Sequence, residues 1–246
     1  MVKIIGHRGA RGLWPENSLE GFRKLITLGV DGVEFDVHPT LDGALVVIHD
    51  ATLDQTTFGC GAVNARTLEE LQATRLRGST EGIPSFEQVL EVFRDSPLEL
   101  HIELKTDASG NPYPQLEASV IDTIKRHDMQ HQAILTCFVP EVLERVRQID
   151  PSLPVLASLE ARSVEKLGGL EEATRRLDAI PGVYIAVEKS LLRLESVWFS
   201  TRFGDERLGV WVPNEEVEIE YWLSQPIRQI TTDRPDLALQ APKQRA

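Results

Sequence analysis

The chain predicts an α/β fold, a closed (β/α)8 barrel with one extra hairpin strand and one small insertion. Three observations carry that prediction. Short apolar runs alternate with helix-like stretches over most of the sequence, the pattern of parallel βαβ units. The units number about eight, the count at which a parallel sheet closes on itself. The length of 246 residues matches such a barrel, so residues 1–246 are expected to form a single domain.

Taken in order, the first strand is VKIIGH (2–7). After PENS a helical pattern runs over 17–29, and Asn17 or Ser18 offers an N-cap behind Pro15. GVEFDV (32–37) is the second strand and ALVVIH (44–49) a third candidate. The strand count then reaches nine, one too many. Only about half a dozen residues separate Val37 from Ala44, and they include Asp42-Gly43, a hairpin signal. A parallel crossover needs about a dozen. The run 44–49 is therefore expected to return antiparallel beside 32–37, with His49 opposite Asp36 if the turn centres on Asp42-Gly43. Residues 51–84 match no barrel unit and read as an insertion over one end, with a short helical piece, TLEELQATR. The remaining strands are expected at 98–104, 133–138, 154–159, 182–187, 208–212 and 228–232. Helical patterns cover 85–95, 113–128, 140–149, 163–178 and 214–224. The closing APKQRA reads as a frayed tail.

Composition excludes several classes. With 41% hydrophobic and 26% charged residues the chain is an ordinary soluble globular one. A formal charge of −12, without a basic cluster, argues against nucleic acid. No apolar run approaches the roughly 18 residues of a membrane span, and the N-terminus lacks a signal-peptide core. Two cysteines, Cys60 and Cys137, are too few for a disulfide framework or a thiolate zinc site. A reduced, cytoplasmic setting is expected. Exposed barrel helices also leave homo-oligomers open.

Charged residues inside predicted strands point to the chemistry. Alternation puts Glu34 and Asp36 on one face of their strand, and Val33, Phe35 and Val37 on the other. The apolar set must meet the helices, so the two acids point into the barrel. In HIELK, Glu103 and Lys105 repeat the pattern. Three converging acids repel one another and raise their pKa values, and a divalent cation relieves this. Oxygen ligands favour Mg2+ or Ca2+ over zinc. A buried salt network with Lys105 and Arg8 fits the acids equally well. His7 and His49 end strands at the same rim, and two histidines flanking a carboxylate cluster suit a general base and a general acid.

Eight pieces then occur in order: HRGA at 7–10, PENS at 15–18, EFD at 34–36, LDG…VVIHD over 41–50, TLDQTT at 52–57, IPSFEQVL at 83–90, IELK at 102–105 and TTDRPD at 231–236. Together they resemble the glycerophosphodiester phosphodiesterase family over essentially the whole chain. The resemblance implies a TIM barrel with a small insertion after the histidine strand. It also implies hydrolysis of deacylated phospholipids, such as glycerophosphocholine or glycerophosphoethanolamine, to glycerol 3-phosphate and an alcohol. Residue by residue it implies Glu34, Asp36 and Glu103 as ligands of one divalent cation, Mg2+ or Ca2+, and His7 and His49 as the acid–base pair. It makes Arg8 and Lys105 phosphate contacts, places Glu16 and Asn17 near the metal, and makes Trp211 an apolar wall by the glycerol. The family usually continues Trp-Thr-Val-Asn, whereas Val212 and Pro213 precede Asn214 here, and Ser18 stands for the usual threonine.

His7 is assigned the base and His49 the acid, acting on water or the glycerol 2-hydroxyl as attacker. Asp50 either orients His49 or begins the next turn. His38 and His101 share faces with Asp36 and Glu103 and receive no role. Rival readings are a phospholipase D-like hydrolase of lysophospholipids, a metal-dependent lyase or aldolase using Lys105, and a non-catalytic phosphate binder.

Overall fold

The computed structural model describes residues 1–241; the rest of the expected tail lies outside the described residues. Nine strands form one sheet: β1 (Lys3–His7), β2 (Gly32–Pro39), β3 (Leu45–Val47), β4 (Glu99–Leu104), β5 (Ala133–Cys137), β6 (Val155–Leu159), β7 (Tyr184–Glu188), β8 (Leu208–Trp211) and β9 (Gln229–Thr232). Eight are parallel, and β1 closes the ring by pairing with both β2 and β9. The fold is the expected (β/α)8 barrel. β3 lies outside that ring, antiparallel to β2.

The alternation in β2 works as its residue types require. Val33, Phe35 and Val37 are fully buried in the layer between strands and helices. There Phe35 meets Phe22 edge-on at 5.7 Å, and Phe22 meets Phe93 at 5.5 Å. Each such ring contributes about 1.5–3 kcal/mol by leaving water. Helix Leu19–Leu28 begins at Ser18, whose hydroxyl accepts from the Gly21 N–H at 3.0 Å. Helix Phe86–Phe93 starts with a reciprocal Ser85–Gln88 cap.

Two local expectations are corrected. The hairpin pairs Val37 with Val47, so Ile48, not His49, falls opposite Asp36. The turn is three residues long rather than two. The Gly43 N–H donates to Thr40 O at 3.2 Å, and Gly43 sits at φ 79°, the left-handed position that favours glycine. The helical pattern at 163–178 splits into Ala161–Lys166 and Leu170–Asp178, broken by Gly168-Gly169 at φ 95° and 100°. Helices Lys189–Leu194, Ser196–Phe203 and Pro235–Gln240 were not singled out by pattern.

Residues 51–84 form the expected insertion, with its own core of Leu53, Val63, Leu71, Leu76 and Ile83 packed on Val46 and Ile48 of the hairpin strand and its exit. Among the described residues no helix is long and apolar enough to cross a membrane.

Candidate active site

Strand register assembles the site at the C-terminal ends of the barrel strands. β1 places His7 beside Glu34, and β2 places Asp36 beside Glu103. One oxygen from each of Glu34, Asp36 and Glu103 lies within 4.8 Å of the others. All three point inward, as the alternation requires. His7, Arg8, Glu34, His49, Glu103 and Trp211 then face one cavity of about 160 Å³, room enough for several waters.

The loop after β1 is unusually wound. Arg8, Gly9 and Ala10 all have positive φ, at 49°, 76° and 69°, and Asn17 follows at 53°. For a non-glycine residue this costs on the order of 1 kcal/mol or more. The winding turns the Arg8 N–H onto Glu34 Oε2 at 3.1 Å and brings the Arg8 guanidinium over Asp36, 3.7 Å away. A side chain at Gly9 would meet the Phe22 ring at 2.9 Å.

The acids differ in charge state. Burial raises Glu34 well above the usual carboxylate range, and the charges of Asp36 and Glu103 add to it. Burial also raises Glu103, against the pull of Lys105. Asp36 is as buried, yet Lys105, His49, Arg8 and a hydrogen bond from Asn17 hold it well below its usual value. Lys105 Nζ lies 2.8 Å from Glu103 and 3.3 Å from Asp36. Their charges outweigh burial and keep its ammonium firmly protonated.

Each imidazole is held at Nδ1, which leaves Nε2 as its free nitrogen, and that of His7 lies 3.8 Å from Glu34 Oε2. His7 Nδ1 pairs with Asp233 at 2.6 Å, and His49 Nδ1 with Asp50 at 2.7 Å. Burial lowers both histidines below 6.5, against the carboxylates beside them. Both are neutral at pH 7, the state in which Nε2 accepts a proton. Asp50 thus touches His49 directly. Asp233 was missed as a site residue although its motif was noted. It also accepts from Arg11 at 2.8 Å and from Asn214 at 2.7 Å.

The other expected residues take distinct places. Asn17 is buried behind Asp36, donating to it at 2.9 Å. Glu16 accepts from Arg8 at 3.1 Å and lines a neighbouring cleft with Arg11, Trp14 and Arg77. Trp211 donates to the Ala186 carbonyl at 3.1 Å and meets Phe138 edge-on at 5.6 Å, so that the two rings wall the cavity. Val212 lines the cavity beside it.

The residues present fit a divalent cation. Three oxygens converge, from the buried Glu34 and Asp36 and the half-buried Glu103, and the two glutamates cannot ionise comfortably beside Asp36. The free amide oxygen of Asn17 is buried with no partner, as expected where a donor such as a cation-bound water completes the site.

A family model described as the glycerophosphoryl diester phosphodiesterase family matches residues 7–237. A glycerophosphodiester phosphodiesterase of Bacillus altitudinis is 30% identical over 249 residues, 97% of each chain. Another, from Caldanaerobacter subterraneus, is 35% identical over 158 residues, covering 62% of this chain and 64% of that protein. A crystal structure from Agrobacterium tumefaciens aligns with TM-score 0.89 and 27% identity, over 98% of this chain and 96% of that one. An Oleispira antarctica phosphodiesterase in complex with the product sn-glycerol-3-phosphate shares the fold, with TM-score 0.82 and 23% identity over 97% and 95% of the chains. The match over nearly the whole length, on a barrel whose mouth gathers these acids and histidines, shows that the chain belongs to the glycerophosphoryl diester phosphodiesterase family.

Proposed function

We propose that this chain hydrolyses glycerophosphodiesters such as glycerophosphocholine and glycerophosphoethanolamine to glycerol 3-phosphate and an alcohol. The observation that carries the reading is the pair of imidazoles, each tied at Nδ1 to a carboxylate and both lining the cavity beside the Glu34–Asp36–Glu103 cluster. Family membership supports the substrate class. Glu34, Asp36 and Glu103 would hold one cation, Mg2+ or Ca2+, which when bound offsets negative charge on the phosphoryl oxygens. Arg8 and Lys105 add fixed positive charge for the non-bridging oxygens. His7 takes the proton of the attacking oxygen at Nε2, and Asp233 steadies the imidazolium that forms. His49 must first be protonated at Nε2, a state that the anionic phosphodiester bound beside it favours; it then gives that proton to the departing alkoxide while Asp50 accepts from its Nδ1. Trp211 and Phe138 give the glycerol an apolar wall. Cys60 and Cys137 are both free thiols, which supports a cytoplasmic setting.

The test is release of glycerol 3-phosphate from each diester, with Mg2+ and Ca2+ in turn. His7→Ala and His49→Ala should each lose about 10²–10⁴-fold in kcat. Wild-type rates in both variants, or full activity in chelator, would overturn the reading.

A further inference from the structure

We propose that His38 and Tyr113 form a buried strut that fixes His49 at the barrel mouth, so that His38 is a positioning residue acting through His49. The inference rests on the catalytic reading of His49 given above.

Local structure leaves His49 weakly anchored. β3 ends at Val47, and the Ile48 N–H, donating to the Asp36 carbonyl at 3.1 Å, is the last bond back to β2. The chain then departs into the insertion. Among the described residues one hydrogen bond reaches the His49 main chain: its carbonyl lies 3.1 Å from His38 Nε2. The His49 ring is itself 29% exposed, and its partner Asp50 is exposed to a similar degree. The position of the ring therefore depends on how firmly that stretch of backbone is held.

His38 is suited to hold it. Its side chain follows Glu34 and Asp36 on the inward face of β2 and is fully buried. Nδ1 lies 3.1 Å from the Tyr113 hydroxyl, and the two rings cross edge-on with centroids 5.6 Å apart. The His49 carbonyl can only accept, so Nε2 must carry the proton. Nδ1 is then an acceptor, and the phenol supplies its donor. Tyr113 thus selects the one tautomer that can grip His49. It belongs to the loop between β4 and helix Leu116–Arg126 and is 7% exposed, packed into the main core. The strut ties the histidine loop to the core through two side chains, with both ring nitrogens of His38 engaged. An apolar residue would fill the same space at a lower desolvation cost. What the imidazole adds is a donor aimed at this one carbonyl. Partners that orient a reactive group commonly matter by about 10–100-fold.

The experiment measures kcat and KM on glycerophosphocholine for His38→Leu, His38→Gln, Tyr113→Phe, His49→Ala and the His38→Leu/His49→Ala double variant. Cation affinity is followed separately by calorimetry. His38→Leu should lose about 10–100-fold in kcat with KM and cation affinity unchanged. His38→Gln should recover most of the loss, because its amide N–H reaches the same carbonyl. Tyr113→Phe removes one atom and serves where His38→Leu does not fold; it should lose about 10-fold in kcat. In the His49→Ala background, His38→Leu should cost nothing more, since both act through one group. Multiplied losses in the double variant overturn the proposal. So does a fall in cation affinity with His38→Leu, which would place the damage at Asp36. A crippled His49→Ala beside wild-type His38→Leu and Tyr113→Phe overturns the strut alone. A wild-type His49→Ala overturns the catalytic reading of His49, and the strut with it.

Discussion

The two ends of the barrel hold similar side chains and treat them in opposite ways. At the N-terminal end Glu99 accepts from Lys3 at 2.5 Å and from Arg228 at 2.8 and 2.9 Å, with His101 3.3 Å away. Arg228 also covers the Tyr184 ring at 4.4 Å. Although burial works against it, these partners hold Glu99 far below the usual carboxylate range. At the C-terminal end Glu34 and Glu103 are pushed the other way, and Arg8 and Asn17 keep buried polar atoms without partners. A network whose members satisfy one another stabilises the sheet and has nothing left to bind with. A network left short of positive charge, with one donor and one acceptor unpartnered, is unfavourable alone and receptive to a ligand.

This contrast can be broken by exchanging charge for amide at each end. The largest effect is expected for Asp36→Asn, which removes the one acid of the Glu34–Asp36–Glu103 cluster that is held below its usual pKa. Activity should fall about 10³-fold while the far-ultraviolet circular dichroism stays native. A rate within tenfold of wild type would erase the functional half of the contrast. Asp233→Asn should come next, at about 10²-fold in kcat, because an amide cannot steady a protonated His7. Steady-state kinetics at saturating substrate reads this directly, and an unchanged kcat would demote Asp233 to a loop tie.

Glu99→Gln should leave kcat unchanged and lower stability by about 2–3 kcal/mol in urea titration. Because the folded pKa of Glu99 is depressed, its contribution is whole above the ordinary value of 4.5 and fades as pH falls below it. The gap between wild type and Glu99→Gln should therefore narrow in acid; a constant gap would contradict the ion-pair account. The smallest effect is a gain. With its raised pKa, Glu34 carries extra protons when folded, so its ionisation costs stability as pH climbs through that value. Glu34→Gln in chelator should raise Tm at pH 8, each ~1 kcal/mol appearing as about 2–4 °C in a chain of this size. A lower Tm would mean that Glu34 is already satisfied without a cation.

What the sequence revealed follows the range of the interactions involved. All nine strands were legible, because alternation and apolar runs are local, and so was the inward face carrying Glu34, Asp36 and Glu103. The hairpin register was off by one, since Asp42-Gly43 suits two turn lengths and only Thr40 pairing with Gly43 decides between them. The helical pattern at 163–178 was read straight through Gly168-Gly169, because its apolar spacing continues on both sides of the glycine pair that breaks it. Helix Ser196–Phe203 was harder, because Val197 and Phe199 put apolar groups on both its exposed and buried sides. Asp233 and the Glu99 cluster were out of reach for another reason. Their partners are distant in sequence, and no spacing rule links Lys3 to Glu99 or Arg228. His38 was seen to face inward, but its hold on His49 exists only once the hairpin register is known.

The bond between His7 and Asp233 joins residues 226 positions apart, across the seam where β1 meets β9. All of the chain from His7 to Asp233 must therefore leave the ribosome before this histidine gains its anchor. Closing the ring at the β1–β9 seam and anchoring the His7 imidazole are thus a single event.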